Sequence, residues 1–181
     1  CGAFERHRAY GRFYHTFFSR PENAHLKKML HFAPERCLEK TLRRYCPDYS
    51  FSDYPEPQPG GLCLDLRDLA LADESHDVFV MNYVLSCMPE DRKAIRSMHR
   101  ALRKNGVVLA GDGLATDRST VEFETARYGG AHRSYGIINL AERFQPFDAQ
   151  AVNVVEPLGD SLKLKHGLSV QEYVLVLRKK V

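Results

Sequence analysis

Four short apolar runs set the terms on which this chain can fold. They lie at 28–32, 49–53, 77–82 and 107–110, and helical or turn-rich segments separate them. Asp77-Val-Phe-Val-Met-Asn82 is the clearest, apolar throughout and bounded by polar residues. A run that is apolar on both parities suits a strand buried on both faces. Leu38, Leu42 and Tyr45 follow the first run at helical spacing, and Pro47 ends that segment. After the third run, Pro89-Glu90-Asp91 opens a helix with acids in its first turn. Ala94, Ile95, Met98, Ala101 and Leu102 give that helix one apolar face, and Asn105-Gly106 supplies its stop. Leu62 to Leu66 reads as a further short strand, Leu140 to Phe144 as a short helix, and Val152–Val155 with Tyr173–Leu177 as a final strand pair. Strands alternating with helices predict an α/β fold with a mostly parallel central sheet and helices on both faces.

The 181 residues suit one domain, assigned to 28–181, with an N-terminal helical segment at 1–27. Within that segment Tyr10, Phe13, Tyr14, Phe17 and Phe18 fall broadly on one helical face. The preferred reading is a helix packing its aromatic face on the domain; the alternative is a lid over a ligand cleft. The chain starts at Cys1 rather than Met, so it is expected to be part of a longer one. Five cysteines without a CxxC pair argue against a disulfide framework and for a reduced, cytoplasmic setting. Cys1-Gly2 could close a zinc site whose other ligands lie upstream, but no metal is assigned to this chain.

A net charge of +3 without a long basic tract does not favour nucleic-acid binding, and an anionic small molecule suits it equally well. No apolar run approaches the length of a membrane span, so no membrane partner is expected.

The stretch Met29-Leu-His-Phe-Ala-Pro-Glu-Arg36 runs from strand into helix without a glycine. Pro34 can occupy a first helical turn, where its missing N–H has no partner to lose. Ligands of such sheets bind beyond the carboxyl ends of the strands, near the point where strand order reverses. Asp53 and Asp65 lie at such ends. The first could accept hydrogen bonds from both hydroxyls of a ribose, and the second could border an adenine. Taken alone, both acids read as solvated loop residues.

A longer pattern gives them context. Asp65-Leu-Arg-Asp-Leu-Ala-Leu-Ala-Asp-Glu-Ser-His-Asp77 resembles the "D-hydrophobic-x-x-L-P-F-x-D-x-S-F-D" segment of class I S-adenosylmethionine-dependent methyltransferases, which have a Rossmann-like fold. Val78–Met88 is similar to their next strand and the "N-H-V-L-E-H-I" stretch, and Glu90–Gly106 to "D-D-x-x-A-x-x-E-hydrophobic-x-R-V-L-K-P-G-G". A type 11-like branch carries "L-H-F-A-P-E" in place of the glycine-rich first motif. Cys1–Arg8 resembles its "C-G-x-x-x-R-H-R" opening, and Tyr128–Gly136 its "Y-G-x-x-D-H-x-R-x-Y-G" segment.

The resemblance implies S-adenosylmethionine as cofactor and a small-molecule or metabolite acceptor. By position it implies that His31, Phe32, Ala33, Pro34 and Glu35 bracket the methionine end. Asp53 would hold the ribose, and Asp65 and Leu66 would border the adenine. Asn82 and Tyr83 would face the cleft where methyl meets acceptor, with Arg133 and Tyr135 contacting substrate. His132 is the candidate base, since imidazole titrates near neutral pH, and a structural role for it is equally open. Several positions depart from the family pattern. His76 replaces a Phe, Ser86 and Cys87 stand where Glu and His are common, Ala131 replaces an Asp, and Gln145-Pro146-Phe147 replaces Ala-Gly-Phe. They motivate an alternative in which a degenerate fold serves as a binding or scaffold module. An exocyclic-amine methyltransferase of nucleic acids is not indicated, because Asn82-Tyr83-Val84-Leu85 does not match the Asn/Asp-Pro-Pro-aromatic motif.

Overall fold

Each apolar run becomes a strand of one sheet in the computed structural model, which describes residues 4–168 and 171–180. The strands are β1 (Lys28–Phe32), β2 (Asp48–Ser52), β3 (His76–Asn82), β4 (Leu102–Asp112), β5 (Leu114–Ala115), β6 (Val121–Glu122), β7 (Arg133–Gly136), β8 (Asp148–Asn153) and β9 (Tyr173–Arg178). The helices are α1 (Glu5–Phe18), α2 (Arg36–Tyr45), α3 (Asp91–Ala101), α4 (Leu140–Arg143) and α5 (Asp160–His166). The main sheet has the order β2-β1-β3-β4-β9-β8. Its first four strands are parallel, and β9 runs against both of its neighbours. This is the mostly parallel α/β sheet that the alternation predicts, closed by an antiparallel C-terminal pair. Cys1-Gly2, on which the upstream zinc site was suggested, lies outside the described residues.

Side-chain parity along the strands divides the core in two. Met29, Val78, Val80, Val107, Leu109 and Val176 point to the face covered by α1 and α2. Leu30, Phe79, Met81, Val108, Ala110 and Leu175 point to the face covered by α3 and α4. Each fully buried aliphatic chain of this kind contributes about 1.5–3 kcal/mol relative to exposure. The aromatic stripe of α1 is part of this core: Tyr10 and Tyr14 are fully buried, and Phe17 nearly so. A buried phenol needs a hydrogen-bond partner. Tyr14 donates to Asn82 Oδ1 at 3.1 Å and Tyr10 to Glu172 Oε2 at 3.2 Å, which ties α1 to the ends of β3 and β9.

Several local expectations change. The proposed strand at 62–66 is reduced to a single bridge between Ser52 and Leu62. Asp65 caps a 3-10 turn there, accepting from Arg67 N at 2.9 Å, and so ends the extended segment. Pro34 precedes rather than enters α2, which starts at Arg36 with Glu35 as N-cap. α3 ends at Ala101, and Asn105 turns the chain at φ 63° inside β4 instead of capping the helix. β8 begins at Asp148, ahead of the expected Val152.

Asp77 explains part of the sequence pattern structurally. Its Oδ2 accepts from the backbone N–H groups of Lys27 and Lys28, and its Oδ1 from Arg103 at 3.0 Å. The carboxylate thereby pins the starts of β1 and β3 together.

Candidate functional site

Four parallel strands deliver their carboxyl ends to one edge of the sheet. β1 ends at Phe32-Ala33, β2 at Ser52-Asp53, β3 at Asn82-Tyr83 and β4 at Asp112-Gly113. The chain leaves β1 to form β2 on one side and later returns to form β3 on the other, so strand order reverses at β1. Two cavities open beyond these ends. The first, about 280 Å³, is lined by Phe32, Ala33, Asp53, Leu64, Asp65, Leu66 and Met88 among others. The second, about 560 Å³, is lined by Arg6, Tyr83, Ser86, Asp112, Phe123, Arg127 and others. Cys87 lines both.

In the first cavity the backbone turns without glycine. Ala33 takes φ 47°, and Tyr83 at the end of β3 takes φ 54°. A non-glycine residue held there costs about 1–2 kcal/mol, and such strain clusters at functional sites. Among the described residues Asp53 accepts a 3.2 Å bond from Tyr54 N and a 3.3 Å bond from Gln58 Nε2, so it keeps capacity for further donors. Asp65 is held by Arg67 at 2.6–3.0 Å, and that contact lowers its pKa.

His31 and Glu35 do not line this cavity. His31 is fully buried, with Nδ1 on the Tyr49 hydroxyl at 2.9 Å and Nε2 on Glu35 at 3.0 Å. Burial pushes the Glu35 pKa up, but the His31 contact and the Asn82 amide outweigh it, and the net shift is downward. Pro34 is half-buried in the same turn. Asn82 Oδ1 accepts from Gly111 N at 3.1 Å as well as from Tyr14. Its Nδ2 is buried without a hydrogen-bond partner, although the amide lies near enough to act on Glu35. Gly111 is required here, since a Cβ would lie 2.2 Å from Asn82 Oδ1.

The second cavity has Asp112 in its wall. This carboxylate accepts from Ser86 N at 3.1 Å and Gly113 N at 2.8 Å. Burial pushes its pKa up to about 6, against the pull of those bonds. An acid thus stands beside residues 86 and 87, where the family pattern has its own acid and imidazole. The cue was present in Gly111-Asp112-Gly113, an acid between glycines at a strand end. Tyr83 donates to Glu172 Oε2 at 3.2 Å, and burial raises its phenol to about 12.

Residues 132–135 are placed differently from a set of substrate contacts. Arg133 reaches the cavity wall, but its guanidinium donates to the carbonyls of Leu85, Met88 and Pro89 and to Glu122. Tyr135 is fully buried and donates to Asp91 Oδ2 at 2.7 Å. Arg143 forks onto the same buried Asp91 at 2.6 Å. These groups fasten the 133–143 segment to α3 and shape the turn at 85–89. His132 is half-buried, its backbone N–H bonds the Ser86 carbonyl at 2.8 Å, and it is not among the residues lining either cavity.

Residues 27–110 match a family model described as "Methyltransferase domain". The fold of the chain is the Rossmann-like one that the similar solved structures share. Its structure resembles the YcgJ protein from Bacillus subtilis at 13% identity and TM-score 0.62, over 96% of this chain and 98% of that one. It also resembles an S-adenosylmethionine-dependent methyltransferase from Mesorhizobium loti at 12% identity and TM-score 0.62, over 98% of each chain. A third similar structure is the Burkholderia thailandensis 1,6-didemethyltoxoflavin-N1-methyltransferase with bound 1,6-didemethyltoxoflavin and S-adenosylhomocysteine. It is 18% identical with TM-score 0.64, over 94% of this chain and 76% of that one. No curated protein matches the chain. Among the described residues, no helix is long and apolar enough to cross a membrane.

Proposed function

We propose that this chain transfers a methyl group from S-adenosylmethionine to a small-molecule acceptor. The observation that carries the reading is the first cavity, at the reversal of strand order, with both Asp53 and Asp65 in its wall and Cys87 shared with a second cavity. A binding module with a collapsed site would have that space filled by the β1–α2 turn. Instead His31 is turned to Tyr49, and Glu35 lies outside the lining.

The residues fit the cofactor. Asp53 would accept the ribose hydroxyls, and Asp65 and Leu66 would border the adenine. Phe32 and Ala33 supply the close backbone approach that glycine supplies elsewhere. Glu35 and Asn82 stand behind this lining, where Glu35 holds His31 and its pKa is lowered by that contact and by the Asn82 amide. S-adenosylmethionine supplies an already activated methyl on a sulfonium. The protein's task is then to align the acceptor and exclude water, and alignment alone can account for much of the rate. Tyr83, held by Glu172, walls the acceptor side. Asp112 replaces His132 as the proposed base, because it lines the second cavity and is ionised above about pH 6. The described cysteines Cys37, Cys46, Cys63 and Cys87 are all free, in keeping with a cytoplasmic setting.

S-adenosylhomocysteine should raise the melting temperature of the purified chain in a concentration-dependent way. Adenosine should do so more weakly. No shift with either would remove the cofactor from the proposal.

A further inference from the structure

The second cavity carries more positive charge than its own residues neutralise. Arg6 and Arg127 both line it. Among the described residues the ion pairs at this wall belong to Arg133, with Glu122 and Asp91, and neither Arg6 nor Arg127 enters one. Each is instead laid on aromatic rings. The Arg6 guanidinium lies 4.4 Å from the Phe4 ring centroid and 4.7 Å from that of Tyr83, and Arg127 lies 3.8 Å from that of Phe123. Stacking of this kind orients a guanidinium while leaving its in-plane N–H groups free to fork onto a planar anion. Arg6 Nε is in addition buried with no hydrogen-bond partner among the described residues. A buried unpaired donor costs about 1–3 kcal/mol, so a ligand oxygen there would recover that loss.

The opposite requirement comes from Asp112, whose carboxylate lines the same cavity. It favours a ligand that presents an O–H or N–H. Glu172 holds the Tyr10 and Tyr83 hydroxyls, so it lies behind the wall on the Arg6 side. We infer that the acceptor is a small anion with a hydroxyl or amine at its other end, its carboxylate or phosphate gripped by Arg6 and Arg127 and its nucleophile directed to Asp112. This rests on the reading of the second cavity as the acceptor site. The anion would orient the acceptor and hold its charged end away from the other cavity.

The test titrates the full chain, with and without saturating S-adenosylhomocysteine, by calorimetry against three probes. These are 4-hydroxybenzoate, 4-hydroxyphenyl phosphate and the neutral 4-hydroxybenzamide. The two anions separate the carboxylate and phosphate forms of the idea. At least one should bind about tenfold or more tightly than the amide, and Arg127→Gln should remove that preference, a loss matching one charged hydrogen bond. The affinity of Arg127→Gln for S-adenosylhomocysteine should stay unchanged, which also shows that the variant is folded. Equal binding of amide and anions, no binding of either anion, or an anion preference that survives Arg127→Gln would overturn the proposal. Retained anion preference without any S-adenosylhomocysteine binding would instead count against the cofactor reading alone.

Discussion

Asp112 is the residue on which the proposed chemistry turns. A base must be ionised to take a proton, and the folded-state pKa of this carboxyl is about 6. The kcat/KM for methyl transfer should therefore rise with pH through about 6 and level off above it. Asp112→Asn should lower kcat by about a hundredfold or more and abolish that rise, since a positioned base commonly contributes 10²–10⁴. A rise through pH 6 that persists in Asp112→Asn would assign the titration to another group. At this scale the sequence was partly readable. Asp53 could be placed at a strand end from pattern alone, whereas Asp65 caps a 3-10 turn, and both reach the first cavity. Only the resemblance implies that Arg133 and Tyr135 contact a ligand. Their partners, the carbonyls at 85–89 and Asp91, lie more than 40 residues away in sequence and could not be seen there.

Among the elements, the β1–α2 junction shows how a nucleotide-type turn can be built without glycine. Ala33 holds φ 47° because β1 and the start of α2 fix it from both sides. Ala33→Gly should leave stability unchanged or raise it by up to about 1 kcal/mol. Ala33→Val should lower it by more than about 1 kcal/mol, since a β-branched residue tolerates positive φ poorly. Urea denaturation of the two variants checks the order, and a less stable Gly variant would mean that the turn is unstrained. The other junction rests on Asp91, buried with Arg143, Arg133 and Tyr135. Arg143→Met leaves that carboxylate short of its main partner and should cost about 3–5 kcal/mol. A loss under 1 kcal/mol on the same denaturation curve would show that Asp91 is satisfied without it. Buried strands and amphipathic helices were legible because burial imposes a period. The 62–66 segment was not, because the Asp65 cap competes with strand pairing, and hydropathy does not register caps.

Across the whole molecule, protonation couples stability to pH with opposing signs. Burial, together with nearby Lys28 and Arg103, lowers the His76 pKa from 6.5 to about 4. A histidine kept neutral by folding stabilises above its unfolded pKa, and that contribution is lost as pH falls from about 6.5 to 4. Asp112 acts the other way: its folded pKa is raised, so protonation stabilises the fold as pH falls from about 6 to 4. Total stability is thus a poor readout, and a difference is a good one. His76→Phe, which installs the residue the family pattern has there, should gain about 2–3 kcal/mol on the native chain between pH 6.5 and 4. A constant difference across that window would show that folding does not shift the His76 pKa.

The same whole-molecule view explains why both cavities lie at one edge. The parallel strands deliver Ala33, Asp53, Tyr83 and Asp112 together at their carboxyl ends, and α1 adds Arg6. The most direct measurement is calorimetric titration of S-adenosylhomocysteine into the native chain and into Asp53→Ala. One molecule should bind per chain, and the variant should bind at least about tenfold more weakly, the loss expected of charge-assisted hydrogen bonds to the ribose. No binding to the native chain, or equal affinity in the two proteins, would contradict an S-adenosylmethionine site between Asp53 and Asp65.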